Sequence, residues 1–200
     1  MDGIAWAAGA MSAARTRLDA AAENLANGSK DGFRRSAVRG FLTARGVVTQ
    51  RVRDNSPGPL RRTGAPYDLA IEGTGAFRVR AADGSLQITR CGAFRRDRFA
   101  RLVDEHGRAL LGARGAILVP DGAVIGADGG ITLNGKRINA IPLPAGSSLR
   151  TGYVEASNVD AIGEMIDVLG AQRSFETAQK VLSAIDQTRE RAATQIGVLK

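Results

Sequence analysis

The chain has 200 residues, of which 44% are hydrophobic, 24% charged and 4% aromatic, with 25 glycines; this is the composition of a globular chain rich in turns and thin in aromatic core. A single cysteine, Cys91, excludes an intramolecular disulfide and a multi-thiolate zinc site, and no apolar run approaches the ~20 residues of a membrane-spanning helix. The net charge of +8 is concentrated between Lys30 and Arg62, where nine basic residues stand against only Asp31 and Asp54, a stretch that suits either a solvated surface or a polyanion.

From the N-terminus, the first 27 residues contain no proline and place Ile4, Ala8, Met11, Leu18, Ala22 and Leu25 at three- and four-residue steps, with Arg15 interrupting. That heptad stripe predicts an Ala-rich helix ending near Asn27, with Gly28 and Ser29 as its stop. Asn27-Gly28-Ser29 also fits a glycosylation sequon, but the helix stop explains it better. The start lacks the basic residues and continuous apolar stretch of a cleavable signal peptide, so any destination outside the cytoplasm requires another route.

Residues 30–66 read as a basic connector, extended from Arg53 to Pro66 by Pro57, Pro59 and Pro66. The helical period then gives way to short apolar runs separated by turn pairs. Ala76 to Arg80 and Leu86 to Arg90 flank Asp83-Gly84, Leu102-Val103 and Ala109 to Leu111 flank His106-Gly107, and Ile131 to Leu133 and Lys136 to Ile138 flank Asn134-Gly135. Three hairpins in succession are predicted, with brief strands at Ile117 to Val119 and Val124-Ile125.

The far end is helical again. Met165, Val168, Phe175, Leu182, Ile185, Ala192, Ile196 and Leu199 share one seam, with Gln172, Gln179 and Arg189 as polar members. Ser157 or Asn158 is the expected cap, and a helix running almost to Lys200 would be roughly 60 Å long. The predicted fold class is α+β: N- and C-terminal helices pairing as a coiled-coil-like stem, with an inserted all-β module of short hairpins. The segments are 1–29 for the first helix, 30–66 for the connector, 67–153 for the β-module and 154–200 for the last helix. Narrow seams on both helices leave apolar surface over, so helices of neighbouring subunits are the natural cover.

Chemistry is hard to place. His106 sits in a Glu105-His106-Gly107 turn, where a solvent-exposed residue is the ordinary reading, and neither a G-x-S-x-G nor an H-E-x-x-H motif occurs. Gly73-Thr74-Gly75 precedes a strand instead of opening a helix, so it lacks the context of a phosphate cradle. No catalytic, cofactor-binding or metal-binding residue is assigned, and no small-molecule substrate is expected. Arg34, Arg35, Arg39, Arg45, Arg51 and Arg53 are candidate polyanion contacts, and nucleic-acid binding is the rival function they raise. Phe33 and Phe41 are the only interleaved aromatics, and no recognition motif accompanies them.

Three blocks resemble the flagellar rod and hook proteins. Leu18 to Asn27 followed by Asp31-Gly32-Phe33-Arg34 is similar to the family's N-terminal signature. Asp68 to Phe77, continuing through Ile88 to Phe94, Asp97 and Leu102-Val103, is similar to its central block, and Val154 to Val159 with Glu164-Met165 and Ala171 to Glu176 to its C-terminal one. Within the family, Leu25 to Arg34 and Ala81 to Ser85 look most like the proximal rod subunit, with the distal rod subunit close behind. The resemblance implies a non-enzymatic subunit of the basal body. It would be exported unfolded through the flagellar type III apparatus and assembled with itself and other rod and hook subunits, its helices lining the inner tube. Contact of the basic segment with cell-wall polymer is a further expectation. Leu18, Leu25, Met165, Val168, Phe175, Leu182 and Ile185 are assigned to the assembly seam, and Asn24, Asn27, Gly32 and a buried Phe33 to the junction between helix and module. Ala76 replaces a frequent aromatic, the interval from Gly112 to Tyr153 is short, and Ala100 replaces a frequent glycine, so a differently shaped turn is expected there.

Overall fold

A computed structural model describes residues 3–43 and 46–197. The fold is α+β and divides into two units, one formed by Met1–Gly28, Arg35–Asn55 and Val159–Lys200, the other by Ser29–Arg34 and Ser56–Asn158.

The first unit contains helix α1 (Gly3–Asn27), strands β1 (Ser36–Thr43) and β2 (Gly46–Arg53), and helix α2 (Ala161–Gly197). The helices pack antiparallel: a Cβ on Gly3 would lie 3.2 Å from Ile185 Cδ1, and one on Gly28 would lie 3.5 Å from Val159 Cγ1. α1 buries Ala7, Ala14 and Ala21 with Ala13 and Ala20, while Ile4, Met11, Leu18 and Leu25 are half-buried and Ala8 and Ala22 exposed. The most buried line therefore lies one residue before the stripe read from the sequence. Alanine has no bulk to hold two helices apart, so the line of alanines takes the closest approach and the larger side chains flank it.

On α2 the inward line is Glu164, Val168, Ala171, Phe175, Ala178, Leu182 and Ile185, in alternating four- and three-residue steps, with Glu164, Ala171 and Ala178 buried and the others half-buried. Ala171 and Ala178, not the expected Gln172 and Gln179, occupy this line. The cap also differs from expectation: Asp160 Oδ1 accepts the Ile162 N–H at 3.1 Å, while Asn158 is turned toward Ser56. Asp160 is closer to the first helical residue and accepts directly from an otherwise orphaned N–H. At 37 residues, α2 is about 55 Å long.

Residues 36–43 and 46–53, read as part of a connector, form the antiparallel strand pair β1–β2, with Phe41 opposite Val48 and Ser36 opposite Arg53. It lies against α1, where a Cβ on Gly9 would meet the Val47 backbone at 3.4 Å. Val47 and Thr49 are half-buried and Val48 and Gln50 exposed, the alternation of a strand.

The second unit is the β-module. Its strands are β3 (Leu60–Arg62), β4 (Leu69–Glu72), β5 (Phe77–Arg80), β6 (Leu86–Thr89), β7 (Arg95–Arg96), β8 (Leu102–Val103), β9 (Ala109–Gly112), β10 (Gly115–Ala116), β11 (Val124–Ile125), β12 (Gly130–Leu133), β13 (Lys136–Ala140), β14 (Ser148–Thr151) and β15 (Tyr153–Glu155). The main sheet runs β6-β5-β9-β8-β7, with β10 on β9. The three expected hairpins are present as β5–β6, β8–β9 and β12–β13, all antiparallel. Ile117 to Val119 forms no strand beyond the Arg101–Leu118 bridge. The core gathers Leu69, Phe77, Val79, Leu102, Leu110, Ile117 and Ile131 around an edge-to-face pair of Phe77 and Phe94, with ring centroids 5.2 Å apart.

The turn at Ala100 corrects an expectation. Ala100 takes φ 58°, matching the left-handed Gly107 at 75°, and its N–H donates to Asp97 O at 3.0 Å as that of Gly107 does to Asp104 O. Asp97 Oδ1 accepts from the Phe99 and Arg101 N–H groups, and Asp104 Oδ1 from those of His106 and Arg108. Each aspartate also pairs with the arginine four residues on. The side-chain bonds impose the turn, and alanine accepts a backbone conformation that costs roughly 1–2 kcal/mol.

Candidate functional site

Of the residues assigned to the helix-to-module junction, Asn24 and Asn27 make bonds within the first unit. Asn24 is fully buried; its Nδ2 donates to Ser36 O at 2.9 Å and its Oδ1 accepts the Ser36 N–H at 2.8 Å. One amide side chain thereby makes both bonds of a strand partner and fixes where β1 starts relative to the helix. Asn27 Nδ2 donates to Glu23 O at 2.8 Å, satisfying a carbonyl of the last turn. Across the same unit, Arg35 pairs with the buried Glu164 and, at 3.1 Å, with Asp167. The hydrogen bond to Glu164 holds the guanidinium pKa above its usual value. This bond draws Glu164 inward and leaves its neighbour Met165 outside.

In the β-module a second cluster surrounds Glu155, which is 1% exposed. Its carboxylate pairs with Arg34 at 2.6 Å and Arg90 at 2.8 Å, and Oε1 accepts the Gly58 N–H at 3.0 Å. Arg90 also donates to Gly73 O and Gly75 O, each at 2.9 Å; its Nε and Glu155 Oε2 form a charge contact without hydrogen-bond alignment. Gly32, at φ +71°, donates its N–H to Glu155 O at 2.6 Å, and a Cβ there would come within 2.2 Å of Cys91 N. Gly58 allows an equally close approach, since a Cβ would stand 2.0 Å from Ala156 O. Phe33 is half-buried and not buried as expected, because its segment is held by backbone bonds to Lys30 and Asn158 and by the charges of Arg34. Removing one partner of so buried a pair costs about 3–5 kcal/mol.

Sequence reasoning assigned no role to Glu155 or Arg90. A signal existed: Glu155 follows Tyr153-Val154 at a strand position whose neighbours are apolar, where an acid requires a partner.

The seam residues are placed as follows. Val168, Phe175, Leu182 and Ile185 lie on the inward line of α2, and Leu18 and Leu25 flank the inward line of α1. Met165 is 56% exposed and forms a stripe with Ile162, Ile166 and Leu169, at 71%, 64% and 56%. Ile196 and Leu199 lie outside the described side chains. Of the basic residues, Arg34 and Arg35 are held by carboxylates as described, and Arg51 pairs with Glu23 at 2.7 Å. Arg39 and Arg53 are exposed, and Arg45 lies outside the described residues. The charge open to a polyanion is thus smaller than the count of arginines.

His106 is exposed beside Glu105, and burial pushes the half-buried Cys91 thiol pKa up. Among the described residues, no group of three or more His, Cys, Asp or Glu could hold a metal ion, and no helix is long and apolar enough to cross a membrane.

Residues 70–134 match the family model described as flagellar hook protein FlgE/F/G D1 domain, and residues 150–196 match that of the flagellar basal body rod FlgEFG protein C-terminal region. The chain is 32% identical to the flagellar basal-body rod protein FlgF of Escherichia coli, over 94% of this chain and 96% of that protein. The chain belongs to the flagellar rod and hook protein family. It is also 28% identical to the flagellar basal-body rod protein FlgG of Agrobacterium fabrum, over 94% and 96% of the two chains. The flagellar hook protein FlgE of Brucella abortus matches at 35% over 69% of this chain but only 36% of its own length. The D1 match falls on β4 to β12 of the module, and the C-terminal match on β14, β15 and α2, so the family signal spans both units.

Proposed function

We propose that this chain is a subunit of the proximal flagellar rod that polymerises through its paired terminal helices. As a member of the rod and hook family it is a structural, non-enzymatic component of the flagellar basal body, which spans the cell envelope. The observation that carries polymerisation is the stripe Ile162, Met165, Ile166 and Leu169, whose i, i+3, i+4, i+7 spacing gives one outward apolar face. Monomeric proteins rarely leave such a face to water, so neighbouring subunits are its natural cover. The heptad spacing of the inward line, from Glu164 to Ile185, supports a coiled-coil-like stem.

The position in the rod rests on the full-length likeness to FlgF; the distal position has the support of FlgG at lower identity. Export through the flagellar type III apparatus is the route that membership of the rod and hook family suggests. Arg39 and Arg53 on the β1–β2 strand pair are the exposed cations through which cell-wall polymer would be met.

The test is to purify hook-basal bodies from cells carrying a tagged copy and its Leu182→Asp variant. The wild-type chain is expected in the rod fraction and the variant absent from it, with the β-module of the variant still folded. Normal incorporation of Leu182→Asp would sink the seam assignment, and a wild-type chain left in the cytoplasm on nucleic acid would sink the function.

A further inference from the structure

The polar cluster of the β-module sits where four chain segments cross, and two of those segments lead directly to the helices. Gly32 follows the end of α1 at Asn27 by a few residues, and Glu155 precedes the start of α2 at Ala161 by a few more. The Gly32 N–H donates to the Glu155 carbonyl at 2.6 Å, so the roots of the two helices are hydrogen-bonded to each other inside the module. Adjacent bonds continue the join: Ala156 N–H donates to Pro59 O at 2.9 Å, Asn158 N–H to Phe33 O at 3.4 Å, and Asn158 Nδ2 to Ser56 O at 2.9 Å.

The Glu155 side chain ties the same segments a second time. It takes Arg34 from the segment leaving α1, the Gly58 N–H from the stretch before β3, and Arg90 from the module interior. A carboxylate with 1% exposure persists only while paired and hydrogen-bonded, so these partners hold one arrangement and not several. Gly32 and Gly58, where any Cβ would collide with backbone, let the segments approach closely enough for that arrangement.

Two helices on anchored roots do not behave as two independent helices. Residues 28–31 and 159–160 are short tethers, and short tethers give an effective concentration of the order of millimolar for the second contact. We propose that Glu155, with Arg34 and Arg90, is the positioning centre of the subunit, holding the roots of α1 and α2 side by side in the free chain so that the helices enter the assembly as a pair. The proposal rests on the assembly role given above. It assigns the polar cluster a task distinct from core stability, because Phe77, Val79 and Leu110 form the core without it.

The test measures amide hydrogen exchange of the free, full-length chain as wild type, Arg34→Gln, Arg34→Lys and Glu155→Gln, alongside incorporation of each into rods. In the wild type the Gly32, Gly58 and Ala156 amides are expected to be protected. In Arg34→Gln their protection should fall together by about tenfold or more, with the Val79 and Leu110 amides unchanged and rod incorporation reduced. Arg34→Lys, which keeps the charge, should restore both readouts. Glu155→Gln is the more severe variant, and Arg34→Gln decides the question should that chain fail to fold. The proposal is overturned if the Gly32 amide of the free wild-type chain is unprotected, if Arg34→Gln leaves root protection unchanged, or if Val79 and Leu110 lose protection in step with the roots. Lost root protection with normal incorporation overturns it as well. A wild-type chain missing from rods would instead refute the assembly role, whatever the amides report.

Discussion

The β-module and the helix pair solve the problem of burial in opposite ways. The module closes a core on itself, with Leu69, Phe77, Val79, Leu102 and Leu110 all but removed from solvent. The helix pair meets along alanines and leaves Ile162, Met165, Ile166 and Leu169 outside. Apolar burial contributes about 25 cal/mol per Å² removed from water, so an interface of methyl groups yields little stability per residue. The difference teaches that the module draws its stability from its own core, whereas the helix pair leaves an apolar stripe that its own chain does not cover.

The comparison breaks most visibly if the module is emptied. Phe77→Ala removes a fully buried ring that packs on Phe94, and a loss of about 3–5 kcal/mol is expected in urea unfolding of the module. A loss under 1 kcal/mol would mean that the core is not the self-contained body described. A smaller effect, confined to the other unit, is expected from Asn24→Ala. It leaves the Ser36 N–H and carbonyl without the amide that satisfies both, at about 1–3 kcal/mol. Exchange of the β1–β2 and α1 amides should rise while that of Val79 and Leu110 stays put. The smallest effect has the opposite sign: Ala100→Gly relieves the left-handed φ of 58° and, less the greater chain entropy that glycine loses on folding, should raise module stability by about 0.5–1 kcal/mol. A drop in melting temperature would show that the alanine is unstrained.

Much of this division was legible in the sequence. Asp83-Gly84, His106-Gly107 and Asn134-Gly135 mark three hairpins because glycine accepts the positive φ that tight turns require, 86°, 75° and 77° here. The β1–β2 pairing is hard to read because Arg39, Arg51 and Arg53 sit among its apolar residues and no Asp-Gly, His-Gly or Asn-Gly pair marks it. The tilt of the α1 face escaped because sequence periodicity follows large side chains, whereas close helix approach selects small ones. Glu155 and Arg90 lie far apart in sequence, and only the fold reveals that their charges answer each other.

The paired turns at Asp97 and Asp104 carry a consequence for how the module is made. Each is closed by an aspartate that binds N–H groups two and four residues ahead and the guanidinium four residues ahead. The bonds made by these two aspartates are therefore local, and local contacts form fast, because little loop entropy is lost before the first bond is made. A chain emerging end-first would complete these two turns as soon as each had emerged, before its distant strands could meet, so the sheet would grow outward from corners already bent.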